Sequence, residues 1–336
     1  MPRILNENLF ISKTPLRISL FGGGSDLPSF IQRNGKGSVV NLTINKFVYS
    51  VIKIHGTIFD KKYRLNYFNT ENVNHFSEIK NNIIRGTIKY YEIPDPLYIS
   101  TISDVPSGTG LGSSGAFLVG LCSLMNLIKN KRVTKAQLAS EASIIDINLL
   151  KSQGGYQDQF ASAFGGFNKF TFYQNGNFKK EKINLNNFIK LFEESSVLVF
   201  TGKTRKSNKI LSVQNNNMKN SNKKSLVLEL LNLGDYFLKS SNSRKDIYQL
   251  YIECMNESWK IKKELSKGIF DNSMEGLYSL LKKEGMKTGK ILGAGGGGFF
   301  LASFLNYEEK NFFLSKYRKK LKILEFNFYD KGSQIL

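Results

Sequence analysis

The sequence predicts an α+β fold in two lobes, and three observations carry that prediction. Strand-like and helical segments mix in the first half without the regular alternation of a parallel α/β sheet. A long apolar stretch, Ala116–Ile128, follows a glycine-rich turn and reads as a buried helix. Strand character restarts at Val197–Phe200, which sets a lobe boundary near 190–200 and gives lobes 1–195 and 196–336.

Leu9–Phe21 reads as a strand that must end at Gly22-Gly23-Gly24-Ser25-Asp26-Leu27-Pro28. Phe47–Ile54, rich in β-branched and aromatic residues, is a second strand, and Leu97–Ser103 a third. Gln137–Leu150 carries Leu138, Ala142, Ile145 and Leu149 on one helical stripe. Gly165-Gly166 opens an extended stretch to Tyr173. The polar run Gln214–Lys224 reads as a surface loop, followed by helices over Ser225–Leu238 and Asp246–Ser266. Lys290–Leu292 and Phe299–Phe304 are strands around a glycine loop, and Leu321–Phe328 is a closing strand.

Composition narrows the function classes. The 336-residue chain is 41% hydrophobic, enough for a large core. No apolar run reaches the ~18 residues a bilayer span needs, and Met1–Phe10 lacks an apolar signal core, so a cytoplasmic protein with no membrane partner is expected. Two cysteines and two histidines make no transition-metal framework. The net charge of +21 suits phosphorylated metabolites or, by charge alone, nucleic acid. The lysines are scattered, not blocked, so no nucleic-acid partner is expected.

Three glycine-rich segments carry the chemistry. Pro106-Ser107-Gly108-Thr109-Gly110-Leu111-Gly112-Ser113-Ser114-Gly115-Ala116 lies between a strand and a helix. Its glycines permit close backbone approach, and its serines sit where free N–H groups and the helix dipole favour a polyphosphate. Gly110-x-Gly112-x-x-Gly115 also fits a dinucleotide fingerprint, but the acidic residue expected some twenty positions on is missing. No Walker A lysine follows the loop either. Gly154-Gly155-Tyr156-Gln157-Asp158-Gln159 presents a carboxylate of the kind phosphoryl transfer to a hydroxyl needs, although Asp158 alone would serve as a helix N-cap. Gly293-Ala294-Gly295-Gly296-Gly297-Gly298 is the loop of a backbone that skirts a ligand.

With these motifs in order, the chain resembles the GHMP kinase superfamily. The 106–116 segment matches the pattern Pro-x-x-x-Gly-Leu-Gly-Ser-Ser-small, Pro15–Gly22 with Arg17 resembles the first motif, and the 293–298 loop the third. The resemblance implies the GHMP kinase fold, with a ribosomal-protein-like N-terminal lobe and a ferredoxin-like C-terminal lobe. It implies ATP held by Pro106, Ser107, Gly108, Gly110, Leu111, Gly112, Ser113, Ser114 and Gly115, and Mg2+ near Ser113, Ser114 and Asp146. Glu141 is a weaker metal candidate. Asp158 becomes the catalytic base, and Arg17 the balancing cation.

Gly23 and Gly24 stand where galactokinases carry Glu and His, so galactose is disfavoured. The segments Phe21–Pro28, Val39–Ile44 and Ser258–Lys263 resemble the heptose 7-phosphate kinase branch, with a fucokinase-like enzyme as the alternative. That branch implies phosphorylation of the anomeric hydroxyl of D-glycero-D-manno-heptose 7-phosphate, for surface polysaccharide. Its small-molecule acceptor is expected at Gly23, Gly24, Ser25, Asp26, Arg205, Lys263, Gly295 and Gly296. A homodimer is compatible with this reading.

Overall fold

The structure, a computed structural model, describes residues 9–56, 58–204, 221–265 and 270–336. The basic stretch after Thr204, including Arg205, and the 214–220 part of the polar run lie outside the described residues.

The first sheet grows from one long antiparallel pair, β1 (Leu9–Phe21) against β2 (Lys36–Ile54). β2 runs well upstream of Phe47 because Val39, Val40, Leu42 and Ile44 are buried with the partner strand. Its two halves pair with different strands, Val48–Ile54 with β5 (Leu97–Ser103) and Lys36–Leu42 with β6 (Phe167–Tyr173). The register of β1 on β2 shifts at Pro15/Leu16, where a proline without an N–H interrupts the ladder. The short strands β3 (Tyr63–Asn66), β4 (Thr70–Val73) and β7 (Phe178–Lys182) complete the edges.

Short helices α1 (Pro28–Asn34) and α2 (Asn82–Tyr91) interrupt this sheet's strands. α3 (Ser113–Ile128) is apolar almost all round and accordingly buried, packed on β1 and β2. The expected helix over 137–150 divides into α4 (Lys135–Ser143) and a π-helical turn (Ile144–Leu149), with Leu150 N–H bonding to Ile145 C=O. α5 (Gln157–Phe164) and α6 (Asn186–Ser195) follow.

A second sheet holds β8 (Ser196–Phe200), β9 (Thr288–Ile291), β10 (Phe299–Ser303) and β11 (Ile323–Leu324) in the order β11-β8-β10-β9, all antiparallel. That 4-1-3-2 order is the ferredoxin-like pattern. α7 (Ser221–Ser240) begins inside the run read as a loop, so 221–224 are helical. α8 (Ile247–Leu265), α9 (Asn272–Lys283) and α10 (Tyr307–Tyr317) complete the described helices.

An aromatic seam runs from the first sheet into helices α6, α7 and α8. Phe21 meets Phe237 at 5.2 Å, Phe188 meets Phe237 at 5.5 Å and Tyr251 at 5.3 Å, and Phe192 meets Tyr251 at 5.6 Å. Such ring pairs contribute about 0.5–1.5 kcal/mol each beyond their buried area. The expected closing strand over 321–328 is only the two residues of β11. The chain then returns to the first sheet, where β12 (Gln334–Ile335) pairs with β1 at Ser12 and Lys13. It threads there past Gly165, where a Cβ would stand 2.0 Å from the Lys331 carbonyl carbon.

Candidate active site

Two of the glycine loops meet in one cleft between the sheets. Gly110 has φ +85°, and a Cβ there would lie 2.5 Å from the Leu292 carbonyl oxygen. A Cβ at Gly298 would lie 2.4 Å from the Thr109 carbonyl oxygen, while Phe299 N–H donates to that same carbonyl at 2.9 Å. The two loops therefore contact through bare backbone, which is what glycine permits there and no other residue does. Gly112 caps α3 in the left-handed region and offers no side-chain cap. The first N–H groups of a buried 16-residue helix thus face the cleft with their dipole end.

Arg17 is the fixed point of the site. Its backbone N–H donates to Leu111 C=O at 3.0 Å and its Nη1 to Gly110 C=O at 2.7 Å. Its Nε and Nη2 both donate to Asp158 Oδ1, at 2.8 and 2.5 Å. The arginine side chain is 4% exposed and the aspartate 30%, so the pair is anchored inside and opens on one side. Oδ2 of Asp158 stays outside the ion pair. Asp158 lies in the first turn of α5, but no side-chain cap bond forms there.

Two further carboxylates line the cleft. Asp26 accepts from Gly24 N–H at 3.2 Å and Gln157 N–H at 3.1 Å. Burial, with the Asp158 charge adding to it, pushes its carboxyl up to about 6. Gly155 passes so close that a Cβ would stand 2.0 Å from Asp26 Oδ2, which explains a glycine there. Asp146, on the π-helical turn, accepts from Gln159 Nε2 at 2.7 Å. Burial, opposed by hydrogen bonds from Ser152 and Gln159 and helped by the Asp158 charge, pushes it to about 6 as well. Oε1 of Gln159 is buried without a partner. Glu141 faces elsewhere, accepting from Tyr91 Oη and Asn126 Nδ2 at 2.6 Å each.

The cleft gathers Arg17, Gly23, Gly24, Asp26, Gly108, Gly110, Gly112, Ser113, Ser114, Gly115, Asp146 and Asp158. Leu111 turns into the core and takes part through its carbonyl, while Pro106 and Ser107 are exposed at the loop's rim. Ser25 does not reach the cleft. It is fully buried, donating to the carbonyls of Gly22 and Ser38 and accepting from Ser38 N–H, so it pins the turn. Lys263 also departs from expectation. One helical step rotates it toward the rings of Trp259 and Tyr278, and with Gly295 and Gly296 it borders a separate shallow depression. Lys262 lines the cleft instead, donating to Ile291 C=O and Gly293 C=O at 2.7 Å each. Ser19, Gln157, Gln159 and Lys290 also line it and were not singled out from the sequence. Only the two-residue spacing of Arg17 and Ser19 on one strand face could have flagged Ser19.

Among the described residues no three His, Cys, Asp or Glu side chains cluster as a metal cage. No helix among them is long and apolar enough to cross a membrane.

The chain is similar to known proteins along most of its length. Residues 79–166 match the N-terminal domain of GHMP kinases. A D-glycero-alpha-D-manno-heptose 7-phosphate kinase of Campylobacter jejuni is 30% identical over 96% of this chain and 97% of its own. The crystal structure of a D-glycero-D-manno-heptose 1-phosphate kinase from Bacteroides thetaiotaomicron superposes with a TM-score of 0.76 at 21% identity, covering 97% of this chain and 98% of that one. The phosphomevalonate kinase of Streptococcus pneumoniae, solved with phosphomevalonate and AMPPNP, gives 0.73 at 15% identity, with 95% and 99% covered.

Proposed function

The chain belongs to the GHMP kinases, and on that premise we propose that it transfers the γ-phosphoryl group of ATP to the anomeric hydroxyl of D-glycero-D-manno-heptose 7-phosphate. The product is the 1,7-bisphosphate, a precursor of nucleotide-activated heptose for surface polysaccharide. The observation that carries the reading is the Arg17–Asp158 pair, set beneath the 106–116 loop and open on the Asp158 side. The Campylobacter jejuni relative, similar along nearly the whole chain, supports the choice of acceptor.

In this reading Pro106–Gly115 wraps the triphosphate, with the N-terminus of α3 at the phosphates. Asp158 accepts the proton of the acceptor hydroxyl at Oδ2, while Arg17 holds Oδ1 and fixes the carboxylate's orientation. Asp26 orients sugar hydroxyls, and Gly23 and Gly24 leave room for the acceptor. Asp146, Ser113 and Ser114 supply hard oxygen donors that fit Mg2+, and the unpartnered Oε1 of Gln159 adds a fourth. The ion's contribution, when bound, is to offset phosphate charge. Lys262 takes the place that Lys263 was expected to hold on the cleft wall. The lobes 1–195 and 196–336 would then each contribute one wall, since the second sheet starts at Ser196.

An ADP-release assay with heptose 7-phosphate, unphosphorylated heptose, fucose and galactose tests the acceptor. Turnover is expected with the first and is expected to be weak with the rest; preference for an unphosphorylated sugar would overturn it. Asp158→Asn is expected to bind nucleotide normally and to lose roughly 10²-fold or more in kcat.

A further inference from the structure

Two cleft-lining groups have no part in that reading. Ser19 lies two residues along β1 from Arg17, on the same strand face, and is 6% exposed. Its Oγ is buried and makes no hydrogen bond among the described residues. Lys290, on β9 of the other sheet, is 5% exposed. Its Nζ reaches across to donate to the carbonyl of Leu20, the residue after Ser19. One donor therefore belongs to β1 of the first sheet, and the other reaches the next residue of that strand from the second sheet.

The charges around them are unbalanced. The group that bears on Lys290 is Arg17, another cation. Beyond Arg17 lies Asp158 on α5, already engaged by the guanidinium. Asp26 and Asp146 feel Asp158, and Lys262 of α8 holds the carbonyls of Ile291 and Gly293. A buried amine beside a guanidinium, with a carbonyl for its bond, is a poor resting place for positive charge. It becomes a good one when an anion enters.

We propose that Ser19 and Lys290, flanking Arg17, form an oxyanion subsite on the cleft floor that receives the oxygens of the transferred phosphoryl group, and that Lys290 takes up a proton as that group arrives. The inference rests on the phosphoryl-transfer reading and not on the choice of sugar. The proton comes from solvent, and no bond of the nucleotide breaks when it binds. Lys290 is thereby charged only when there is a charge to meet, which spares the empty cleft two adjacent buried cations.

Burial, reinforced by the Arg17 charge, pulls the Lys290 ammonium down to about 7. Near pH 8 the unliganded chain therefore holds it mostly neutral. Calorimetric titration of the full chain with the Mg2+ complex of a non-hydrolysable ATP analogue, in buffers of different ionisation enthalpy, is expected to show net uptake of about one proton. Lys290→Gln keeps a donor for the Leu20 carbonyl. It is expected to abolish the uptake and lower kcat about tenfold or more, with the acceptor KM changed less. Ser19→Ala is expected to lower kcat several-fold and leave the uptake intact.

No uptake by the wild-type chain, or undiminished uptake by Lys290→Gln, would overturn the proposal. If Lys290→Gln does not fold, the wild-type titration repeated across pH still decides. Maximal uptake near pH 8 supports Lys290, and a maximum below 7, where Asp26 and Asp146 titrate, rules it out. Uptake without turnover on heptose 7-phosphate would refute the acceptor alone, and turnover without uptake the subsite alone.

Discussion

Asp26 shows how much a single carboxylate can depend on its neighbours. Both its oxygens accept backbone N–H groups, yet burial raises the carboxyl from the model-peptide range near 3.8 to about 6. A carboxyl that is protonated more readily when folded stabilises the fold below about 4, and that contribution is lost as pH rises through about 6. The wild-type chain is therefore expected to lose on the order of 2–3 kcal/mol from this residue between those limits. Asp26→Asn should reduce the slope across that window, leaving the part due to Asp146, in denaturant titrations at several pH values; an unchanged slope would absolve the carboxyl. At the neighbouring glycines the physics divides. Gly24 has φ +97°, so its backbone demands glycine. Gly23 has no such constraint and only Ser19 Oγ near its missing Cβ, at 3.6 Å, so there the gain is open space in the cleft.

At the scale of elements, α3 and α5 cross where Gly115 allows it. A Cβ at Gly115 would stand 2.5 Å from Cβ of Asp158. Alanine would raise intrinsic helix propensity by roughly 1 kcal/mol, but it would push the carboxylate away from Arg17. Gly115→Ala is therefore expected to lose most of kcat and to weaken nucleotide binding by a smaller factor, as steady-state kinetics beside equilibrium binding would reveal. Wild-type kcat would show that the crossing tolerates the methyl group. The π-helical turn is the counterpart at Asp146. On an ideal α-helical wheel Asp146 borders the apolar stripe of Leu138, Ile145 and Leu149, and the i→i+5 bond from Leu150 to Ile145 alters that phase. Sequence periodicity carries no sign of such an inserted turn, because a single turn is too short to set a period of its own.

For the whole molecule, a net charge of +21 surrounds the cleft proposed to take anionic ligands. The nucleotide KM is expected to rise several-fold between roughly 50 and 300 mM salt, with kcat less affected, as kinetics across ionic strength would measure. A flat response would mean that the field does not reach the cleft. The local signals were legible from residues alone: three glycine loops, Arg17 on its strand, Asp158 after two glycines, and the α+β class from the missing alternation. Each is a local backbone or patterning requirement, and local requirements are written in consecutive residues.

What only the tertiary structure decided depends on contacts between distant segments. Ser25 proved to be a buried pin and Lys263 the neighbour of the cleft-lining lysine, because burial and helical phase are settled by what packs opposite. The short closing strand and the return of Gln334–Ile335 to β1 were likewise invisible, since a two-residue strand has no pattern of its own. Lys290 sits 273 positions from Arg17 in sequence (290 − 17) and meets its neighbourhood only when the second sheet folds against the first. The sequence by itself determined the loops, the class and the Arg17–Asp158 candidates. The fold alone decided which other side chains share their space, because charge and burial act through distance in space and not along the chain.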